Sequence, residues 1–325
     1  MPSTTRVTGD PAVPPRVAFL GPEGTFTEEA LLSQPDLAAG ELMALRSWAD
    51  VLAAVEAGAA DLGFAALENS IEGTVSSVID GLVFRHELWI QREVVHEITQ
   101  NLLVVPGTAL ADIRRVVSFP NALGQCRSWL AANLPGVEEV AANSTSEAAR
   151  MVAVGGLGPG ASAAFGTALA AKLCGLDVLV PHIEDSPGNV TRFVVLAAPG
   201  TARIPALTGH DKTSIVCFQQ ANVPGSLHAI LGQFSARAIQ LTKLESRPTK
   251  RGLGDYCFII DFEGHVADEV VADCLRDLHA SVASLKFLGS YPAAGDDGPA
   301  IRRDAEASWR SADRWVAGLR DCIGG

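Results

Sequence analysis

VAFLGPEGTFTEEALL, residues 17–32, is an apolar run, a turn punctuated by Gly21, Pro22 and Gly24, and the start of a helix. The run 17–20 has the length and character of a buried strand, and Thr25 followed three positions later by Glu28 has the capping-box pattern that opens a helix. A strand feeding a helix through a tight turn is the unit of an α/β layer fold. The same alternation runs on to residue 198. Strands are expected at 17–20, 62–67, 116–119, 137–141, 161–165, 178–183 and 192–197, with helices starting near Thr25, Ser47, Thr74, Ala122, Thr145 and Thr167. Short runs of Val, Ile and Phe between Ala-rich helical segments predict a largely parallel sheet.

A Pro/Gly/Thr-rich stretch within 199–211 then reads as a linker, and the pattern changes after it. Strands at 213–220, 239–246, 255–262 and 284–291, with helices at 224–236 and 267–282, give the order βαββαβ, a ferredoxin-like split unit over 212–291. Residues 292–303 form a second link. The end, 304–325, reads as an amphipathic helix with Trp309, Trp315 and Leu319 available for one face. Residues 1–15 lack the apolar core of a secretion signal and read as a disordered tail, so a cytoplasmic location is expected.

With 325 residues and 48% hydrophobic content the chain can bury a core without disulfides or structural metal. Its 25 basic and 37 acidic side chains leave a formal charge of -12, which argues against duplex nucleic acid, whose binding depends on Lys and Arg displacing counterions. The uncharged stretch 151–171 is broken by five glycines and Pro159, so a membrane span is not expected. The six cysteines are scattered without a C-x-x-C pair, and they read as buried free thiols rather than as a zinc or redox centre.

Several short strings could carry chemistry. Glu68-Asn69-Ser70 closes an apolar strand, at the end where open α/β sheets bind ligands, although alone it reads as a turn. Thr191-Arg192-Phe193 opens another, and Arg192 in a strand otherwise fit for burial needs an anion, either an internal carboxylate or a ligand. Ser144-Thr145-Ser146-Glu147 repeats the capping pattern and Ser118-Phe119-Pro120 precedes a helix. Helix N-termini converging on one cleft would hold an anion with few basic side chains, while each one singly is an ordinary cap. A zincin helix, a nucleophile elbow and a dinucleotide fingerprint each lack a required residue.

Taken in order and spacing, GPEGTFTEEA, LENSIEGTV, SFPNALGQC, NSTSEAA and TRFVVL resemble the prephenate dehydratase domain. NVPGSLHAIL and ESRPTKRGLGDYCFIIDFEGH resemble the ACT regulatory domain that follows it in that family. The resemblance implies a catalytic domain at 16–198 built of two α/β lobes like a periplasmic binding protein, and an ACT domain at 212–291. It implies loss of CO2 and water from prephenate to give phenylpyruvate in phenylalanine biosynthesis, without a cofactor or metal, with L-phenylalanine as allosteric effector of a homodimer or homotetramer. Arogenate dehydratase and a non-catalytic amino-acid sensor are the alternatives.

Carried over by motif, the catalytic set is Thr191, Arg192, Glu68, Asn69, Ser118 and Gln125. Thr25, Thr74, Ser144, Thr145 and Phe193 are expected to bind substrate. Asn222, Pro224, Gly225, Ser226, Leu227, Glu245, Ser246, Arg247 and Pro248 are expected to bind the effector. Two positions depart from the family pattern. Asn143 stands where some members have glutamate, and Ser226 stands for the usual alanine.

Overall fold

The structure, a computed structural model, describes residues 14–219, 224–250, 252, 254–295 and 300–322. Asn222 and most of the expected N-terminal tail lie outside them. Residues 14–81 and 94–195 form one compact unit, and 82–93 with 196–322 form the other.

Along the chain β1 (Arg16–Leu20) leads into α1 (Phe26–Leu32) and α2 (Pro35–Ala38), followed by β2 (Glu41–Leu45), α3 (Trp48–Glu56), β3 (Leu62–Asn69), β4 (Gly73–Thr74), and α4 (Ser76–Phe84) and β5 (Trp89–Glu97), which carry the chain into the second unit and back. Then come β6 (Asn101–Val104), β7 (Ile113–Ser118), α5 (Pro120–Gln125), α6 (Arg127–Asn133), β8 (Glu138–Ala141), α7 (Thr145–Val154), β9 (Ala161–Gly166), α8 (Ala168–Cys174), β10 (Asp177–Val180) and β11 (Val190–Ala197). Two sheets result, ordered β2-β1-β3-β11-β5, with β4 on β3, and β10-β6-β9-β7-β8. Hydroxyls start the helices: Thr25, Ser47, Ser144 and Thr167 accept the N–H of Glu28, Asp50, Glu147 and Ala170. The first sheet is packed through Phe64 and Phe193, whose rings stack at 5.0 Å. Burying an aromatic or aliphatic side chain of this size stabilises the fold by about 1.5 to 3 kcal/mol.

The expected largely parallel sheet is therefore two mixed sheets. Strand β1 runs parallel to β2 and β3, and β7 to β8 and β9, but β6 is antiparallel to both β9 and β10. Strands β2, β5 and β6 were not expected. In β5 the polar residues Gln91, Arg92, Glu93 and His96 interrupt the apolar ones, β2 is a partly buried edge strand, and β6 is only four residues long. The strand expected at 178–183 stops at Val180; Ile183 is instead a core residue whose N–H bonds Gln100 O. Thr74 lies in β4 rather than at a helix start, and α4 begins at Ser76.

The second unit contains β12 (Asp211–Phe218), α9 (Ser226–Ser235), β13 (Leu241–Pro248), β14 (Tyr256–Glu263), α10 (Glu269–Ser281), β15 (Ser284–Pro292) and α11 (Ala300–Asp321). Its antiparallel sheet, β13-β14-β12-β15, is backed by a core that includes Ile215, Ile230, Phe234, Ile260, Phe262 and Leu278. Segment 82–93 is built into this unit. The Glu93 carboxylate, 1% exposed, receives Lys212 Nζ at 2.9 and 3.0 Å and the Ala294 N–H at 2.9 Å. Such a buried ion is tolerable because its lone pairs are filled.

Gly289 sits in a bulge of β15 at φ +144°, and a Cβ there would lie 2.6 Å from Ile90 O. Gly289→Ala should therefore destabilise the protein by about 2 to 4 kcal/mol in denaturant unfolding. An unchanged unfolding midpoint would contradict this packing.

All six cysteines are free. Burial pushes the thiols of Cys126, Cys217 and Cys274 up to about 12, so they stay protonated and unreactive at neutral pH. Among the described residues no group of His, Cys, Asp and Glu could hold a metal ion, and no helix is long and apolar enough to cross a membrane.

Candidate active site

The first unit gathers polar side chains where β3 ends and β11 begins. Asn69, at the last position of β3, turns its side chain back on the chain: Oδ1 accepts the N–H groups of Ile71 and Glu72, each at 2.9 Å. This Asx turn leaves no freedom over which end of the amide is which. The Nδ2 end must face β11, where it donates to Asn189 Oδ1 at 2.7 Å and to Thr191 Oγ1 at 2.9 Å. Thr191, 7% exposed, is thus an acceptor toward Asn69, and its own O–H is left to donate elsewhere.

Backbone bonds hold the same corner rigid. Ser70 N–H donates to Val190 O at 2.9 Å, Val190 N–H to Ser70 Oγ at 3.0 Å, and Ile98 N–H to Asn189 O at 2.7 Å. Arg192 is nearly buried, and its Nη1 lies 4.0 Å from Glu68 Oε2. Thr74 pairs in register with Glu68 across the β3–β4 ladder. Phe193 does not join the polar group, being fully buried in the ring stack with Phe64.

From the second sheet, Gln125 at the end of α5 donates from Nε2 to Glu72 Oε1 at 3.1 Å. Asn189 Nδ2 approaches its Oε1 at 3.5 Å. Ser118, the last residue of β7, is completely buried, and its Oγ makes no hydrogen bond among the described residues. A buried hydroxyl without a partner is costly unless something else satisfies it.

The caps are spent locally. Thr25 caps α1 while Glu28 Oε2 takes the Gly24 N–H, and Ser144 caps α7 while Glu147 Oε2 takes the Asn143 N–H. Thr145 is the first residue of α7 and is buried. These caps are ordinary, and the groups they occupy are not free for an anion. What the 21–25 turn does instead is bridge the two sheets: Glu23 O accepts from Arg150 Nη2 at 2.7 Å and from Ser146 Oγ, and Gly24 O accepts from Thr167 Oγ1 at 2.9 Å.

Sequence reading assigned no site role to Glu72, Asn189 or Arg150, and it marked Ser146 and Thr167 only as parts of helix starts. Asn189 had one available signal: a polar amide two residues before Thr191, at the start of a buried strand.

In the second unit Gly225 caps α9 at φ +85°, and Ser226 Oγ donates to Gln219 Oε1 at 2.5 Å. Leu227 packs on the core of this unit, and Pro224 is exposed. Glu245, Ser246, Arg247 and Pro248 lie on the edge strand β13, with Arg247 Nη1 on Glu245 Oε1 at 2.8 Å.

A hydrogen-bonded, partly buried polar corner between two α/β sheets, in a chain with a second unit, is the build of an enzyme for a small polar molecule. The family model described as Prephenate dehydratase matches residues 17–201, and the chain belongs to the prephenate dehydratase family. It is 42% identical to a prephenate dehydratase of Mycolicibacterium vanbaalenii over 94% of this chain and 99% of that one. A crystal structure of the Arthrobacter aurescens prephenate dehydratase in complex with L-Phe is similar at 37% identity and TM-score 0.84, covering 94% of this chain and 99% of that one. GqqA, described as a novel type of quorum quenching acylase, is similar at 31% identity and TM-score 0.76, covering 86% of this chain and 98% of that one.

Proposed function

We propose that this protein converts prephenate to phenylpyruvate, that its first unit works as a two-lobed cleft of the periplasmic-binding-protein kind, and that residues 212–291 are an ACT domain. The observation that carries the chemistry is the 2.9 Å bond from Asn69 Nδ2 to Thr191 Oγ1, which makes the threonine oxygen an acceptor there and leaves its proton to donate to a ligand. In the reaction the electron pair of the bond to the ring carboxylate enters the ring as CO2 leaves. The ring C–O bond breaks and the departing hydroxide leaves as water, its proton drawn ultimately from solvent. Thr191 donates a hydrogen bond to that oxygen as its charge develops.

Arg192 holds a substrate carboxylate beside Glu68, and Ser118 supplies a second hydroxyl. Asn69 and Gln125 set the polar wall, with Thr74 next to them, while Thr25, Ser144 and Thr145 shape the facing helix starts. Exclusion of water from the corner favours loss of CO2 by ceasing to solvate the carboxylate.

An acylase would need a base activating its nucleophile, but the Thr191 oxygen faces an amide donor. Arogenate, the amino analogue of prephenate, fits the same chemistry. Initial rates measured side by side on the two compounds test the assignment. Higher kcat/KM on prephenate supports it, and higher kcat/KM on arogenate replaces it.

The second unit is proposed to bind L-phenylalanine between paired copies in a homodimer or homotetramer, as a cytoplasmic feedback device. Pro224, Gly225, Ser226 and Leu227 are assigned to one wall of that pocket and the Glu245–Pro248 end of β13 to the other. The Ser226 hydroxyl is engaged with Gln219, so the extra oxygen reshapes the pocket through that contact. Coupling of this kind typically changes affinity or rate by about 5- to 150-fold. Gly225→Val introduces a branched residue at φ +85° and should abolish the response to phenylalanine while leaving basal turnover intact. Turnover titrated with phenylalanine checks it, and undiminished inhibition in the variant would place the effector elsewhere.

A further inference from the structure

We infer that Asn189 is a positioning residue for the reaction: it closes a one-way ring of hydrogen bonds that holds the Asn69 amide, already oriented by its Asx turn, in place against Thr191, so that Thr191 is left to donate into the cleft. The ring has four links. Glu72 N–H donates to Asn69 Oδ1 at 2.9 Å, Asn69 Nδ2 to Asn189 Oδ1 at 2.7 Å, Asn189 Nδ2 to Gln125 Oε1 at 3.5 Å, and Gln125 Nε2 to Glu72 Oε1 at 3.1 Å. All three amides point the same way round.

The ring begins and ends on Glu72, and both ends are irreversible. A backbone N–H cannot accept, and an ionised carboxylate cannot donate. Turning any one amide over would set oxygen against oxygen and nitrogen against nitrogen at its neighbours. The second hydrogen on Asn69 Nδ2 goes to Thr191, so the ring's hold on the Asn69 amide carries over to the aim of the catalytic hydroxyl.

Asn189 is suited to the task by its rigidity. It is 3% exposed, its carbonyl accepts the Ile98 N–H at 2.7 Å, and Ser70 Oγ donates to its Oδ1 at 3.4 Å. Two of the links run through Gln125, which belongs to the second sheet, while Asn69, Glu72 and Asn189 belong to the strand ends and turn of the first. The ring therefore closes only when the two sheets are held together, and the longest link is one that crosses between them.

The inference rests on the reading of Thr191 as hydrogen-bond donor in prephenate turnover, and its test separates the two. Asn189→Asp is nearly isosteric and still accepts from Asn69, but its ionised form sets an acceptor against Gln125 Oε1. At neutral pH kcat should fall by up to about 100-fold with KM nearly unchanged, the cost of a misaimed catalytic group. With the uncatalysed reaction subtracted, kcat relative to wild type should recover as pH falls through the titration of the new carboxyl, because the protonated acid donates again.

A purely structural asparagine would give no such recovery. Asn189→Ala, which also serves if the aspartate variant does not fold, should lose kcat at every pH tested with KM retained. Wild-type kcat in both variants, or a pH profile of Asn189→Asp parallel to that of wild type, would overturn the positioning role alone. Absence of phenylpyruvate formation by the wild-type protein would overturn the dehydratase reading itself, and this inference with it.

Discussion

Thr191→Val should lower kcat about 10²- to 10⁴-fold, equivalent to about 3 to 5 kcal/mol of transition-state stabilisation. Valine keeps the shape of threonine and removes only the hydroxyl, so the strand and its packing are undisturbed. The Asn69 amide loses one acceptor but retains Asn189 Oδ1 at 2.7 Å and Val190 O at 3.3 Å. A lost net hydrogen bond of this type costs stability only about 1 kcal/mol. The signature is thus a large kinetic defect in a folded protein, read by steady-state kinetics beside a thermal melt. Retention of more than about a third of wild-type kcat would remove Thr191 from the chemistry.

Arg192→Lys should be nearly as damaging, lowering kcat/KM by about 10²-fold, because an ammonium cannot reproduce the paired, planar bonds of guanidinium to a carboxylate. The sequence leaves two anions open for Arg192, and the geometry separates their consequences. The Glu68 oxygen stands at 4.0 Å, the outer limit of an ion pair, on a side chain more than a third exposed. A pair of that kind contributes about 0 to 1 kcal/mol to stability. The melting temperature of Arg192→Lys should therefore barely move while substrate kinetics collapse. A melting temperature several degrees lower with unaltered kinetics in the folded fraction would make Glu68 the purpose of the arginine.

Where the sequence could be read, the signal was local. The run 17–20, the turn and the Thr25 cap lie within a dozen residues, and the same logic reached Ser47, Ser144 and Thr167, whose hydroxyls each meet an N–H three positions on. Asn69 and Thr191 were drawn together only by motif. Their bond spans 122 positions, and nothing in either neighbourhood announces it.

Asn189 was passed over because its meaning lies in partners 120 and 64 positions away. The polar strand β5 shows the opposite failure. Its Glu93 looks like a solvated residue breaking an apolar pattern, yet it is buried because Lys212, 119 positions on, supplies the counter-charge. Charge burial is decided by tertiary pairing, which a hydrophobic pattern does not encode.

Prephenate turnover in this cleft, with the Thr191 hydroxyl carrying the step, is open to a direct assay. It is tested most directly by incubating the purified full-length chain with prephenate at neutral pH and quantifying phenylpyruvate and CO2, with Thr191→Val in parallel and prephenate binding measured for both. Equal amounts of the two products are expected from wild type, with at least about 100-fold slower formation by the variant and similar binding by the two proteins. Binding of prephenate by the wild-type chain without phenylpyruvate or CO2 would contradict it and leave the cleft a sensor rather than a catalyst.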